Sequence, residues 1–168
     1  MHVQPWYRPL IAPADHALVA EFYTRAADYI WLETSAPPSD QTASAYFTGA
    51  LPGHDPAADL REGLFQGALL AGIAELAFAC PQPGCATLTL MILAPEARGA
   101  GLGAAWAQRL CQIAGENGAA HLHLSVLRRN KRGLRFWRRA GFRLEPALSC
   151  AAGLGEAGSR LHLTRPLP

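Results

Sequence analysis

The sequence predicts a mixed α/β (α+β) fold, with a central, largely antiparallel sheet flanked by about four helices. Three observations carry this reading. Apolar residues recur at strand or helix spacing in successive segments, in the order β-α-α-β-β-β-α-β-α-β-β. The run "LFQGALLAGIAELAFA" reads as two strands joined at or near Gly67, a β-hairpin. The stretch from Leu88 to Val126 reads as strand, helix, strand, which calls for one parallel pairing through a right-handed crossover. With 168 residues, no internal repeat and no clean boundary, the chain is expected to form one domain over 1–168. That length suffices to bury roughly two-thirds of the unfolded surface.

Each element has a local reason. "VQPWYRPL" is a short strand broken by prolines, suited to a sheet edge. "APADHALVAEFYTRAADYIWLE" places Leu18, Phe22, Ala26, Tyr29 and Ile30 at helical spacing, with Pro13 or Asp15 to start the helix. "TSAPPSDQ" breaks it, "TASAYFTGAL" is a short second helix, and "PGHDPAAD" is a loop. After the hairpin, "PQPG" is a turn and "ATLTLMILA" has the composition of a buried strand. A helix from about Leu102 to Glu116 ends where Gly118 can take the left-handed conformation. "HLHLSVL" alternates as a half-buried strand. Asn130 caps a helix that runs to Ala140 and stops at Gly141, and "FRLEPAL" and "RLHLTRP" are closing strands around a glycine-rich loop.

Composition excludes several classes. Half the residues are hydrophobic and 17% charged, which rules out wholesale disorder. A formal net charge of +2 points to no strongly polyanionic partner. Cys80, Cys85, Cys111 and Cys150 form no C-x-x-C unit, and no histidine pattern completes a metal site, so no metal is expected. "CPQPGC" is a turn with a cysteine at each rim, read as buried thiols with a Cys80–Cys85 disulfide as the alternative. "MHVQPWYRPL" lacks the basic start and apolar core of a leader. The greasiest run, "ALLAGIAELAFAC", is too short for a membrane span and contains Glu75. No membrane partner is expected, and the compartment is read as cytoplasmic.

The stretch "LMILAPEARGAGLGAAWAQRL" carries the chemistry. A strand ends at a glycine-rich turn that feeds a helix, whose first amides lack internal partners and carry partial positive charge. Glycines let the backbone curl so that several amides converge on one phosphate, and Arg98 adds a forked donor. The P-loop pattern fails, because no Gly-Lys-Ser/Thr follows. The dinucleotide fingerprint fails as well, because the spacing is G-x-G-x-G and no acidic ribose ligand follows. A turn with incidental glycines, in a chain holding sixteen, is the bland alternative.

"LAPEARGAGLG" resembles the acetyl-CoA signature of the GCN5-related N-acetyltransferase (GNAT) superfamily, Arg/Gln-x-x-Gly-x-Gly/Ala after a strand. The matching positions are Arg98, Gly101 and Gly103, with Leu93 and Pro95 as the lead-in. "VLRRNKRGLRFWRRAGF" resembles the same superfamily's later motif at Asn130, Phe136, Trp137, Gly141 and Phe142. Together the motifs cover about Leu88 to Leu144. The resemblance implies that acetyl-CoA is the cofactor. Backbone groups of Met91, Ile92 and Leu93 would pair with its pantetheine arm. The amides of Gly99, Ala100, Gly101, Leu102, Gly103 and Ala104 would hold its pyrophosphate. Asn130 would contact the arm or order the acyl site, and helix 131–140, with Phe136 and Trp137, would flank the thiol end.

Eight of the fifteen basic residues lie between Arg128 and Arg143. Arg135, Arg138 and Arg139 read as a solvated face, whereas Lys131 and Arg132 oppose the dipole of a first helical turn and suggest a nearby anion, such as the ribose phosphate of coenzyme A. Nucleic acid is not expected as a partner. Trp137 stands where many relatives carry a tyrosine able to protonate the thiolate. An indole cannot do so, and packing of Phe142 on Trp137 in a Schellman arrangement is the reading preferred. Glu75 is the best carboxylate for a base, its apolar setting raising its pKa; an edge carboxylate facing water is the alternative. Asp28, Tyr29 and Glu33 are candidates for recognising a cationic acceptor. His121 and His123 read as structural or exposed.

The expected activity is transfer of an acetyl group from acetyl-CoA to an amine, small-molecule or peptide, by direct attack in a ternary complex, with Glu75 and Asn130 as catalytic candidates. A non-catalytic acyl-CoA-binding or regulatory module is the alternative. Monomer and homodimer both stay open.

Overall fold

The computed structural model describes residues 4–49, 51–52, 54–145 and 159–168. Cys150 and the tail of "FRLEPAL" with the glycine-rich loop after it lie outside those residues. The strands form one sheet in the order β1-β2-β3-β4-β5-β7-β6, and β4–β5 is the parallel pairing expected from Leu88–Val126. The backbone divides into two compact units, Met1–Ala77 with Leu90–Gly103, and Phe78–Thr89 with Ala104–Pro168.

In the first unit β1 (Pro5–Pro9) pairs antiparallel with β2 (Leu60–Gln66), which pairs antiparallel with β3 (Leu69–Phe78). The hairpin turns at Gly67, as expected. The register holds a surprise. Near the turn Gln66 faces Leu69 and Phe65 faces Leu70, but Leu64 faces Gly72, so Ala71 is an extra residue, a β-bulge. Beyond it Arg61 faces Glu75. The bulge has a job of its own, because the Ala71 carbonyl accepts from Ala94 N–H at 2.9 Å, just past β4 (Cys85–Leu93).

The first predicted helix is two, α1 (His16–Arg25) and α2 (Ala27–Thr34), broken at the fully buried Ala26. The described residues therefore hold five α-helices rather than about four. No glycine or proline explains the break. Asp15 sits at the N-cap of α1 without a capping bond. Its carboxylate instead grips Arg8 at 2.7 and 2.8 Å and accepts from Ile11 N–H at 2.8 Å. The second helix, α3 (Asp40–Thr48), starts where Ser39 N–H donates to Thr42 Oγ1 at 3.0 Å. The core of this unit gathers Val19, Phe22, Tyr23, Ile30, Tyr46, Phe65, Ile73 and Ile92, with Leu18 and Tyr29 packed at its margin.

In the second unit α4 (Leu102–Glu116) turns Trp106, Leu110, Cys111 and Ala114 inward. It leads to β5 (His121–Leu127), whose Leu122, Leu124 and Val126 are buried. β7 (Arg160–Pro166) pairs antiparallel with β5 along its whole length, and the short β6 (Arg143–Leu144) pairs with β7. Between β5 and β6 runs α5 (Lys131–Arg139). Cys80, Cys85 and Cys111 are buried thiols, and no disulfide joins them. Among the described residues no helix is long and apolar enough to cross a membrane.

Candidate functional site

The glycine turn follows β4 directly, through a single 3₁₀ turn at Pro95–Ala97. Gly99 and Gly101 adopt φ of +90° and +80°, backbone that a residue with a Cβ enters at a cost of roughly 1–2 kcal/mol. Gly103 is not among the left-handed residues, so two of the three glycines answer a backbone need. A Cβ at Gly99 or Gly101 would meet no atom within 4 Å, so the turn borders open space. Among the described residues no backbone acceptor takes up the amides of Gly99, Ala100 or Gly101. Those of Leu102, Gly103 and Ala104 are the orphan donors of the first turn of α4. Six successive amides at the positive end of a 15-residue helix suit a pyrophosphate.

Arg98 is engaged within the protein. Its Nε donates to the Leu93 carbonyl at 2.8 Å and both terminal nitrogens engage Asp28, Nη2 at 3.0 Å to Oδ1. Three of the five guanidinium donors thus meet protein acceptors, and Asp28, a candidate for recognising a cationic acceptor, takes two of them. One residue pair upstream repeats the device. Arg25 of α1 engages Glu96 and donates to the Leu70 carbonyl at 2.6 Å. The Glu96 carboxyl lies below its usual pKa range, held there first by its own backbone N–H and then by Arg25. The break at Ala26 leaves Arg25 and Asp28 at the adjoining ends of two helices, from which both reach the turn.

On β3, Glu75 is not in the purely apolar setting expected of it. Arg61 Nη2 donates to Glu75 Oε1 at 2.7 Å, with both side chains about nine-tenths buried. An opposite charge at that distance favours the ionised carboxylate, opposing the rise that burial alone would cause. Arg61 also donates to the Tyr46 and Gly49 carbonyls, at 2.8 and 3.1 Å, tying the end of α3 to the hairpin. The Tyr46 hydroxyl donates to the Ala74 carbonyl at 3.0 Å. Tyr23 of α1 is 5% exposed. Burial first, then Glu33, Tyr29 and Glu75, push its pKa well above the phenol range. Tyr46 is pushed up likewise, by burial, Tyr23 and Glu75, with Arg61 opposing. Tyr23, Tyr46 and Arg61 are not among the residues the sequence singles out, and Arg61 owes its place opposite Glu75 to the bulge.

The later motif belongs to the second unit. Asn130 caps α5 as expected, its Oδ1 accepting from Gly133 N–H at 2.8 Å, which leaves Nδ2 as a donor. A Cβ on Gly133 would lie 2.6 Å from that Nδ2, so the small residue makes room for the cap. At the other end Gly141 N–H donates to the Arg138 carbonyl and Phe142 N–H to the Trp137 carbonyl, at 3.2 and 3.0 Å, with Gly141 at φ +88°. This is the Schellman arrangement expected. Trp137 meets Phe142 edge-on at 5.2 Å and Phe136 at 4.8 Å. Phe142 is buried, and Trp137 is half-buried. His121 is exposed, and His123 is half-buried, its buried Nδ1 without a hydrogen-bond partner among the described residues.

The family model described as "Acetyltransferase (GNAT) family" matches residues 31–142. Among solved structures, the chain is similar to an acetyltransferase from Thermus thermophilus, with 24% identity over 99% of this chain and 100% of that one and a TM-score of 0.79. It is also similar to the PaiA N-acetyltransferase from Thermoplasma acidophilum in complex with coenzyme A (18% identity, 97% and 99% coverage, TM-score 0.70). A third is the ribosomal-protein-S18-alanine N-acetyltransferase from Escherichia coli (18%, 98% and 94%, TM-score 0.68). At these identities the likeness is one of fold. No curated protein matches the sequence. The match to the family model takes in the glycine turn, the cap of α5 and the Schellman turn after it, and the chain belongs to the acetyltransferase (GNAT) family.

Proposed function

We propose that this protein transfers an acetyl group from acetyl-CoA to an amine by direct attack in a ternary complex. The observation that carries the reading is the turn after β4, where Gly99 and Gly101 hold left-handed backbone and the amides from Gly99 to Ala104 are left for an anion. These amides would hold the pyrophosphate. The β4–β5 ladder ends at Leu88 opposite Leu124. The backbone of Met91, Ile92 and Leu93 beyond it would pair with the pantetheine arm as an added strand does. The resemblance assigns Asn130 to the same arm or to the ordering of the acyl site, and Phe136 and Trp137 to the thiol end. Lys131 and Arg132, exposed at the start of α5, suit the ribose phosphate.

When bound, acetyl-CoA would supply a thioester, whose C–S bond would break as the amine nitrogen takes the acetyl group, the coenzyme leaving as a thiolate that takes a proton from water. The residues of the chain position and deprotonate. An amine near pKa 10.4 must lose its proton before attack. Glu75, ion-paired with Arg61, would accept that proton and pass it to water. Trp137 offers no acid, and none is required, because a thiol of pKa near 8.5 is a competent leaving group. Positioning would supply most of the rate.

The test is release of free thiol from acetyl-CoA across a panel of amines, with coenzyme A binding followed by calorimetry. Gly101→Asp puts a side chain on left-handed backbone and a carboxylate against a pyrophosphate, and binding is expected to fall at least a hundredfold. Unchanged binding in that variant would overturn the reading. Coenzyme A binding without thiol release from any amine would favour the non-catalytic module, to which the engagement of Glu75 by Arg61 lends some support.

A further inference from the structure

The basic side chains of the two units differ in what holds them. The first unit has ten of the thirteen acidic side chains and four basic ones, Arg8, Arg25, Arg61 and Arg98. Each of the four is engaged by a carboxylate, of Asp15, Glu96, Glu75 and Asp28 in turn. On α5, in the second unit, the opposite holds. Lys131, Arg132, Arg135, Arg138 and Arg139 are all exposed. Among the described residues, none of these five side chains has an ion pair, a hydrogen bond or a ring contact.

The five positions follow the spacing i, i+1, i+4, i+7, i+8. They therefore fall within an arc of about 120° and form one stripe along about 12 Å of helix. The apolar residues of α5, Leu134, Phe136 and Trp137, lie outside that arc and are half-buried, Trp137 edge-on to the buried Phe142. Like charges three and four residues apart repel one another, and this unit has three acidic residues against eleven basic ones. The chain by itself leaves the repulsion uncompensated. An anionic partner laid along the stripe would offset it.

Membranes, nucleic acids and acidic polypeptides all offer such charge, and two of them fit poorly. A helix lying on a membrane needs its apolar face free to enter the lipid, and on α5 that face is half-buried in the protein. A nucleic-acid strand carries no aliphatic amine, so an amine acetyltransferase finds nothing on it to modify. An acidic polypeptide carries both the carboxylates and the amine, and arginine forks match carboxylates in paired hydrogen bonds. Arg135 and Arg139 stand about 6 Å apart along the helix. Alternate side chains of an extended peptide are about 6.7 Å apart, so two of its carboxylates can meet both. We infer that the acceptor is a polypeptide whose reactive amine neighbours an acidic segment, and that Arg135, Arg138 and Arg139 dock that segment. Lys131 and Arg132, at the start of the stripe, stay with the ribose phosphate. This rests on the proposed acetyl transfer. It gives the three arginines a part in the choice of acceptor and none in the chemistry.

The experiment compares two short peptides, each with a free N-terminus and one lysine, that carry either two glutamates or two glutamines at alternate positions beside the lysine. Thiol release gives kcat and KM for each. Expected is a kcat/KM roughly tenfold higher for the glutamate peptide, carried by KM. Arg135→Gln combined with Arg139→Gln removes most of that preference. In this variant kcat for the glutamine peptide and coenzyme A affinity stay at wild-type values, which also shows that it folds. Arg135→Glu combined with Arg139→Glu reverses the preference, in favour of a peptide with arginines at the two positions, which a loss of structure would not do. Fluorescence anisotropy of labelled probes is expected to show tighter binding of the glutamate peptide than of a single-stranded oligonucleotide. Tighter binding of the oligonucleotide would assign the stripe to nucleic acid and overturn the inference. Equal kcat/KM for the glutamate and glutamine peptides, or a preference that survives both variants, also overturns it and leaves the transferase reading standing. So does acetylation of small amines but of neither peptide. Absence of thiol release with every amine and peptide, or of coenzyme A binding, overturns both.

Discussion

Arg98 shows how a residue of a motif can also be engaged within the protein. The signature places an arginine there, and the expectation was a phosphate ligand, yet the side chain bridges Leu93 and Asp28. Within the protein it ties the start of the glycine turn to the end of β4 and to α2. Asp28 is about half exposed, so the ion pair itself is worth little, under about 1 kcal/mol in a double-mutant cycle. His123 makes a cleaner residue-scale prediction. Burial first, then the neighbouring His121, holds its imidazole below the usual range, and its buried Nδ1 has no hydrogen-bond partner among the described residues. The unfolded chain therefore binds a proton that the folded chain refuses. Stability should fall as pH drops below the unfolded value of about 6.5 toward the lower folded value. Urea midpoints between pH 7.5 and 5 should show this decline, and His123→Gln should flatten it. An unchanged slope in the variant would assign the decline elsewhere, for instance to His162, which is shifted the same way.

At the scale of the element, α5 is well capped but electrostatically self-repelling. Asn130 closes its start and a Schellman turn its end. Between them Lys131, Arg132, Arg135, Arg138 and Arg139 are all exposed. Like charges at i,i+4 destabilise a helix by about 0.2–0.5 kcal/mol per pair, and Arg135 stands four residues from both Lys131 and Arg139. Arg135→Glu turns two repulsions into two attractions. The variant is expected to be more stable by roughly 1 kcal/mol, or a few degrees in Tm, as scanning calorimetry would show. A lower Tm would mean that Arg135 has a contact in the protein that outweighs this repulsion. The β2–β3 hairpin makes the opposite case, where one extra residue, Ala71, reassigns partners. Counting straight from the turn at Gly67 puts Arg61 opposite Ala74, with Glu75 on the other face. The bulge brings Glu75 and Arg61 together.

Across the whole molecule, charge is polarised beneath a net value of +2. The second unit carries eleven of the fifteen basic residues against three acidic ones, the reverse of the first. Fields of this kind steer charged ligands, and salt screens them over a Debye length of about 10 Å at 0.1 M. KM for a cationic acceptor is expected to rise several-fold between about 0.05 and 0.5 M salt, while kcat changes little. A KM indifferent to salt would argue against charge steering of the acceptor. The α/β class, the hairpin, the span of α4 and both ends of α5 were legible in the sequence. Each rests on short-range chemistry: apolar period, a glycine at positive φ, an asparagine cap, two neighbouring aromatics. The donor turn was legible for the same reason, because its glycines and the helix that follows are contiguous. What only the tertiary structure decided were the partners of the charged side chains: Asp28 for Arg98 across 70 positions, Glu96 for Arg25 across 71, and Arg61 for Glu75 across a bulged register. Such pairs are chosen by packing and strand register. No periodicity along the chain records either one.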